Sequence, residues 1–241
     1  MQGRTRLRCW LAGAAAVVCA LAAPAFGQLG LKPEPLKIDL TQSPRAQQIM
    51  PTGPATNGLS YSGTVVAGPA GSLVPVPNSY LGPTIHTWAG QDVSIRLINQ
   101  IGQESITHWH GLDVPADMDG YPTATVPSGS AFGYRFPILN RAGTYWYHPH
   151  TNMLTAPQVY AGLAGFFIVH DNEEAKLRLP SGAYDLPLCI QDATFDTSNQ
   201  RVYNPGMVAG FLGTTQLVNG QPNYVHSAAT RVYRLRLLNG A

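Results

Sequence analysis

Two His-x-His pairs are the residues of this chain with the clearest capacity for chemistry. One pair is His108 and His110, and the other is His148 and His150. Imidazole binds copper, zinc, iron and nickel alike, so the residue type indicates a metal centre without naming the metal. A single pair of this kind is commonly a half-buried structural feature, but two pairs flanked by aromatic residues favour metal binding.

Each pair lies in a segment that reads as a β-strand, 105–111 and 143–150. Residues i and i+2 of a strand point to the same face and lie roughly 6.5–7 Å apart, at about 3.3 Å per residue. That spacing is too wide for easy chelation of one ion, but it allows each imidazole of a pair to serve a neighbouring ion. Two such strands side by side would direct four imidazoles to one place. The sequence therefore predicts a cluster of metal ions.

The elements that must position these histidines are predicted to be strands. Alternating apolar and polar residues occupy 92–98, 132–136 and 233–237, and an apolar run occupies 165–170. The 25 glycines and 20 prolines provide many turns between such runs. This pattern favours a sandwich or barrel. A single helical turn is predicted around 157–163.

The predicted organisation has five parts. Residues 1–27 form a signal peptide, 28–58 an extended arm along the surface, 59–171 a first domain, and 172–182 a linker. Residues 183–241 begin a second β domain, which is predicted to be incomplete because a sandwich of this kind needs ~100 residues.

The first 27 residues have the composition of a secretory signal. Three arginines precede an apolar run from Trp10 to Ala22, which small residues follow. The run is shorter than the ~20 residues that cross a bilayer, so export to the periplasm or the extracellular space is predicted, without membrane association after cleavage. Removal of this segment leaves 12 basic and 13 acidic residues and one cysteine. Nucleic acid is therefore not an expected partner, and an intrachain disulfide is not possible.

The residues next to the two pairs exclude three other kinds of His-x-His metal site. A metallo-β-lactamase would have Asp and His where Leu112 and Asp113 stand, and a cupin would have Glu near Val114 and Pro115. A copper nitrite reductase would have Cys where Pro149 follows the first histidine of the second pair.

The segments 107–112 and 143–150 resemble the first two copper motifs of the multicopper oxidases, which include laccases, bilirubin oxidases and cuprous oxidases. The resemblance covers about residues 59 to 241. It implies an all-β chain, with a cupredoxin-like Greek-key β-sandwich followed by the start of a second, truncated cupredoxin-like domain. Further matching segments are 81–85, 119–120, 158–165, 217–220 and 233–239.

The resemblance also implies a role for each histidine. His108 would bind the type 2 copper of a trinuclear centre, and His110, His148 and His150 the coupled type 3 pair. Asp119 resembles an acidic residue near that centre in bacterial members, which implies a possible proton relay; a simple turn residue before Gly120 is the alternative. This chain would then supply half of the trinuclear ligands.

The type 1 copper site of the family has no counterpart in this sequence. That site requires a His-Cys-His motif, whereas Cys189 stands between Leu188 and Ile190 in an apolar strand and is predicted to be a core residue. Strand parity predicts that Trp146 shares the face of His148 and that Trp109 packs in the core. The remaining histidines lack partners at metal-binding spacing and are predicted to be structural or on the surface: His86, His170 and His226.

The resulting hypothesis is an exported multicopper oxidase represented by its N-terminal portion. Its parent activity would couple one-electron oxidation of phenols or metal ions to four-electron reduction of O2 to water. Its partners would be O2 and a small reducing substrate, and this chain by itself would be inactive. One alternative is a non-catalytic copper-binding or structural cupredoxin-like protein. Another is a zinc hydrolase, for which Asp119 is the only candidate carboxylate.

Overall fold

The structure, a computed structural model, describes residues 32–206 and 210–241. The predicted signal peptide and the first four residues of the predicted arm lie outside the described residues. Within the described part, no helix combines the length and apolar character that a membrane crossing needs.

Strands dominate the described residues, so the all-β prediction is confirmed. Two short helices, α1 (Thr155–Tyr160) and α2 (Asn172–Lys176), and two 3₁₀ turns, Ala116–Met118 and Gly182–Tyr184, complete the regular structure. The strands are β1 Leu36–Gln47, β2 Thr56–Ala67, β3 Leu73–Val74, β4 Thr84–Trp88, β5 Asp92–Asn99, β6 Thr107–His110, β7 Ala131–Pro137, β8 Gly143–Pro149, β9 Gly165–His170, β10 Asp185–Ala193, β11 Thr215–Val218 and β12 Arg234–Asn239.

Two mixed sheets face each other across the main core. The first has the order β2-β1-β5-β7 and the second the order β3-β4-β9-β8-β6. Alternate residues of β5 point inwards from the first sheet, and Trp109, Tyr147 and Phe167 meet them from the second. Burial of these large apolar side chains is the main force that holds the two sheets together.

The prediction of a surface arm at 28–58 is wrong. Its residues 36–47 form β1, which pairs with β2 on one side and with β5 on the other. Leu36, Ile38 and Leu40 alternate into the core and are fully buried. Pro44 lies beyond the part of β1 that pairs with β5, so its missing N–H breaks no bond of that ladder. The apolar alternation of this segment is short, and prolines and polar residues surround it. The sequence therefore did not indicate a strand here.

A third sheet, β11-β10-β12, follows the sandwich. A second cluster of buried side chains joins it to the five-stranded sheet: Leu81, Phe166 and Ile168 of the sandwich pack with Cys189 and Leu217. The predicted linker contains α2, and Asp171 caps this helix by accepting a hydrogen bond from the backbone N–H of Glu174 at 2.7 Å. The domain boundaries themselves stay predictions.

Candidate metal centre

The two His-x-His pairs lie on adjacent antiparallel strands at one edge of the five-stranded sheet, with His150 directly after the end of β8. The register of β6 and β8 places His108 opposite His148. The ring centroid of His108 lies 5.5 Å from that of His110, 5.4 Å from that of His148 and 5.0 Å from that of His150. Strand parity and strand pairing thus bring all four imidazoles together, as the sequence predicts.

Three of the four rings are oriented by backbone carbonyl groups. The Nδ1 atoms of His108, His148 and His150 lie 2.7, 2.8 and 3.3 Å from the carbonyl oxygens of Asp119, Pro149 and Gly120 in turn. A carbonyl oxygen can only accept a hydrogen bond, so each Nδ1 carries the proton and donates it. The lone pair of each ring is then on Nε2, where it is free for a metal ion.

The fourth ring, that of His110, points a nitrogen towards the same space. Its Nδ1 lies 3.2 Å from Nε2 of His148. Two nitrogens that each bind one ion at about 2.0–2.1 Å lie roughly 3 Å apart, so this separation suits a shared ion. One nitrogen from each of His108, His110 and His148 lies within 4.8 Å of the others, a spacing that could hold a metal ion. His150 stands beside this group.

Burial favours the neutral form of His148. Removal from water lowers the pKa of His148 to about 4, and the neighbouring imidazoles act in the same direction. Partial burial, followed by the charges of His108 and His150, also lowers the pKa of His110. Because only a neutral imidazole offers a lone pair, these shifts let His148 and His110 bind a cation at neutral pH without first losing a proton. Copper binds well to the unprotonated nitrogen of a neutral imidazole.

Trp146 closes one side of the cluster. Its ring centroid lies 4.2 Å from that of His148 and 5.3 Å from that of His110, which confirms the predicted shared face. Trp109 has the opposite parity and is fully buried in the core, as predicted.

Comparison with known proteins agrees with this geometry. Residues 61–174 match the family model described as multicopper oxidase. A protein of Staphylococcus haemolyticus called multicopper oxidase mco is 38% identical over 161 residues, which are 67% of this chain and 36% of the relative. The crystal structure of McoA multicopper oxidase from Aquifex aeolicus aligns with a TM-score of 0.75 at 37% identity, over 88% of this chain and 45% of that one.

The chain belongs to the multicopper oxidase family. The cupredoxin-like β-sandwich is confirmed with it, and membership of this family implies copper. Another relative, the cell division protein FtsP of Shigella dysenteriae, is 36% identical over 228 residues, 93% of this chain and 47% of FtsP. The chain therefore spans less than half of the length of these relatives.

Asp119 approaches the candidate copper site in two ways. Its carboxylate oxygen Oδ1 lies 3.1 Å from Nδ1 of His108, and its own carbonyl oxygen lies closer to the same nitrogen, at 2.7 Å. The carboxylate is 40% exposed, so it contacts both solvent and a candidate ligand. The structure thus places Asp119 beside the cluster, while its role as a proton relay stays a prediction.

The sequence singled out this loop for the carboxylate of Asp119, but not for the backbone carbonyl groups of Asp119 and Gly120. Gly120 has a φ of 75°, and a Cβ atom built on it would lie 2.1 Å from the carbonyl oxygen of Thr107. Only glycine allows the loop to lie this close to β6. The Asp-Gly pair signals a turn, but its contact with two histidine rings depends on the folded position of the loop.

The remaining histidines lie elsewhere. His86 and His170 were predicted to be structural or on the surface. Nδ1 of His86 lies 3.0 Å from Nε2 of His170, and Nδ1 of His170 lies 2.7 Å from the carboxylate of Glu174. They form part of a structural network. His226 packs edge-on against Tyr233, with ring centroids 5.5 Å apart.

Cys189 is buried in the second cluster, which confirms its predicted place in a core. Burial raises the pKa of its thiol to about 12, so without a metal ion the side chain is a neutral thiol at pH 7. It is the only cysteine among residues 32–206 and 210–241.

Proposed function

We propose that this chain supplies the first half of the trinuclear copper centre of an exported multicopper oxidase. His108 would hold the type 2 copper, and His110, His148 and His150 the type 3 pair. The observation that carries this proposal is the orientation of the rings: three imidazoles give up Nδ1 to carbonyl groups and keep Nε2 free, on two strands in register.

The overall reaction proposed for the parent protein is one-electron oxidation of a phenol or metal ion coupled to four-electron reduction of O2 to water. Copper, when bound, supplies the one-electron steps of that chemistry. The residues of this chain have three tasks around it. The histidines bind and orient it, and Trp146 covers one side of the rings and limits the access of water. Oδ1 of Asp119, which lies between solvent and the ring of His108, would pass protons from solvent towards the copper site.

Export is part of the same proposal, because the basic and apolar residues at the N-terminus have the pattern of a cleaved signal. The reducing substrate is proposed only as a class, phenolic compounds or metal ions.

A second candidate function follows from the similarity to FtsP, which extends over 93% of this chain. A protein with a structural role in the cell envelope would need no copper. The presence of all four histidines in binding geometry favours the oxidase, because a purely structural relative has no reason to keep them.

The test uses the complete reading frame that contains this chain, expressed with copper and purified. Metal content is measured by mass spectrometry, and O2 consumption is followed with a phenolic donor. We expect bound copper and O2 consumption. His148→Gln should lower the copper content and abolish O2 consumption, whereas the control His226→Gln, whose histidine lies outside the cluster, should retain both. Zinc in place of copper would favour the hydrolase alternative. A protein without bound metal would favour the structural one.

A further inference from the structure

β6, the strand that carries His108, lies at the edge of its sheet. A tyrosine from the opposite sheet contacts the unpaired side of this strand. β6 is the last strand of its sheet and pairs only with β8 there. The carbonyl of Ile106 accepts from the backbone N–H of His150 at 2.9 Å, so the next residue, Thr107, turns its backbone groups away from β8. Those groups need partners from outside the sheet.

Tyr134 of β7 supplies both partners with one hydroxyl group. The backbone N–H of Thr107 donates to Oη of Tyr134 at 3.1 Å, and the same hydroxyl donates to the carbonyl oxygen of Thr107 at 2.8 Å. Both residues are buried, so water does not compete. Burial also raises the pKa of Tyr134 well above its usual value, so the hydroxyl keeps the proton that it donates.

The side chain of Thr107 is held on its other side. Its Oγ1 lies 2.9 Å from Oη of Tyr61, and Oη of Tyr61 accepts a hydrogen bond from Nε2 of Gln42 at 3.1 Å. Tyr61 and Gln42 are both buried and belong to β2 and β1. The backbone and the side chain of Thr107 are therefore both tied to the four-stranded sheet.

This anchoring bears directly on the candidate copper site. Thr107 is joined by one peptide bond to His108, whose ring must face His148 across the strand pair. A short edge strand is free to shift unless something outside its own sheet holds it. A metal site tolerates errors of only a fraction of an ångström in the position of its ligands.

We propose that Tyr134 is a positioning residue that fixes β6, and through it His108, relative to His148. Tyr61 acts with it through the side chain of Thr107. The inference rests on the proposed function, because it assigns these tyrosines to the copper site rather than to general stability.

The test compares Tyr134→Phe with Tyr80→Phe in the protein made from the complete reading frame that contains this chain. Tyr80 is a matched control because it is also buried and donates one hydrogen bond, to Gln191 at 2.8 Å, in the second cluster. Amide hydrogen exchange at Thr107 is measured by NMR in the metal-free protein. Copper(II) affinity is measured by titration, and the hyperfine splitting of bound copper by EPR.

We expect Tyr134→Phe to accelerate exchange at Thr107 by about tenfold or more, to weaken copper binding by about 10- to 100-fold, and to change the hyperfine splitting. Tyr80→Phe should leave all three unchanged, even if it lowers the melting temperature equally. Tyr61→Phe should shift the three readouts in the same direction, and it replaces Tyr134→Phe if that variant fails to fold.

Equal exchange at Thr107 in the two variants, or equal copper affinity and spectra, would overturn the positioning role. Failure of the unsubstituted chain to bind copper would instead contradict the proposed function. The exchange measurement would still decide in that case whether Tyr134 holds the strand.

Discussion

At the scale of single residues, the most informative feature of the site is the group that each Nδ1 contacts. A histidine ring can bind a metal through either nitrogen, and the hydrogen bond at one nitrogen decides which remains available. In His108 and His150 the partners are successive carbonyl groups, those of Asp119 and Gly120. A side-chain substitution cannot remove a backbone carbonyl group, so the conformation of the loop decides how these two rings are oriented.

Substitution of Gly120 therefore tests whether the conformation of this loop controls copper binding. Gly120→Ala should destabilise the fold by about 2 kcal/mol or more, because it combines a left-handed φ with a clash against the carbonyl of Thr107. It should also weaken copper binding. Gly129→Ala is the control, since its φ is 85° but nothing lies within 4 Å of the new Cβ.

Urea unfolding and copper titration of both variants check this prediction. Gly129→Ala should cost about 1 kcal/mol, the strain of φ alone, and leave copper affinity unchanged. Equal effects of the two substitutions would mean that the close contact between the loop and β6 has no consequence for the site.

At the scale of elements, a buried ionic network ties β12 to the sandwich. Glu174 of α2 accepts hydrogen bonds from Arg234 and from Arg236, and Arg236 also pairs with Asp185 of β10 at 2.7 Å. His170 of β9 donates to the same glutamate. A buried arginine requires such partners, because an unpaired charge away from water is strongly destabilising.

This network predicts a specific dependence of stability on pH. Burial alone would raise the pKa of Glu174, but hydrogen bonds from His170 and Arg234 outweigh it and lower the pKa to about 2. The unfolded chain binds a proton at higher pH than the folded one, so this stabilisation is complete above pH ~4.5 and is lost as the pH falls towards 2. It amounts to on the order of 3 kcal/mol.

Glu174→Gln should lower the unfolding free energy at pH 7 and flatten its decline between pH 4.5 and 2. The control is Glu173→Gln, whose carboxylate is exposed and pairs with Arg141 on the surface. Chemical unfolding at several pH values provides the comparison. Parallel curves for Glu174→Gln and the unsubstituted chain would show that the network adds nothing to the acid dependence.

At the scale of the whole molecule, the described residues contain a candidate binding site for copper, and their one cysteine lies apart from it. Four histidines lie in one cluster, and the cysteine of this region lies buried in a separate one.

Residues 28–241, purified and supplied with copper and a phenolic donor, should consume no O2 above the rate of free copper. The physical reason is that half of a ligand set binds copper weakly and nothing delivers electrons to it. An oxygen electrode measures the rate, with His148→Gln as the matched control. Sustained turnover that depends on His148 would contradict this expectation.

The sequence by itself determined the family, the β class and the four candidate ligands. The family follows from the resemblance of two short histidine motifs. The common face of each histidine pair follows from alternation along a strand, whatever that strand pairs with. The same parity argument placed Trp146 with the histidines and Trp109 in the core. It missed β1, where prolines and polar residues made a central strand resemble an arm.

Only the tertiary structure decided which groups meet across long stretches of sequence. The register that sets His108 opposite His148, the carbonyl groups that orient the rings, the pairing of His86 with His170 and the contact of Tyr134 with Thr107 all join residues on different elements. Such contacts depend on strand register and loop path, which the packing of the whole core determines and no local pattern encodes.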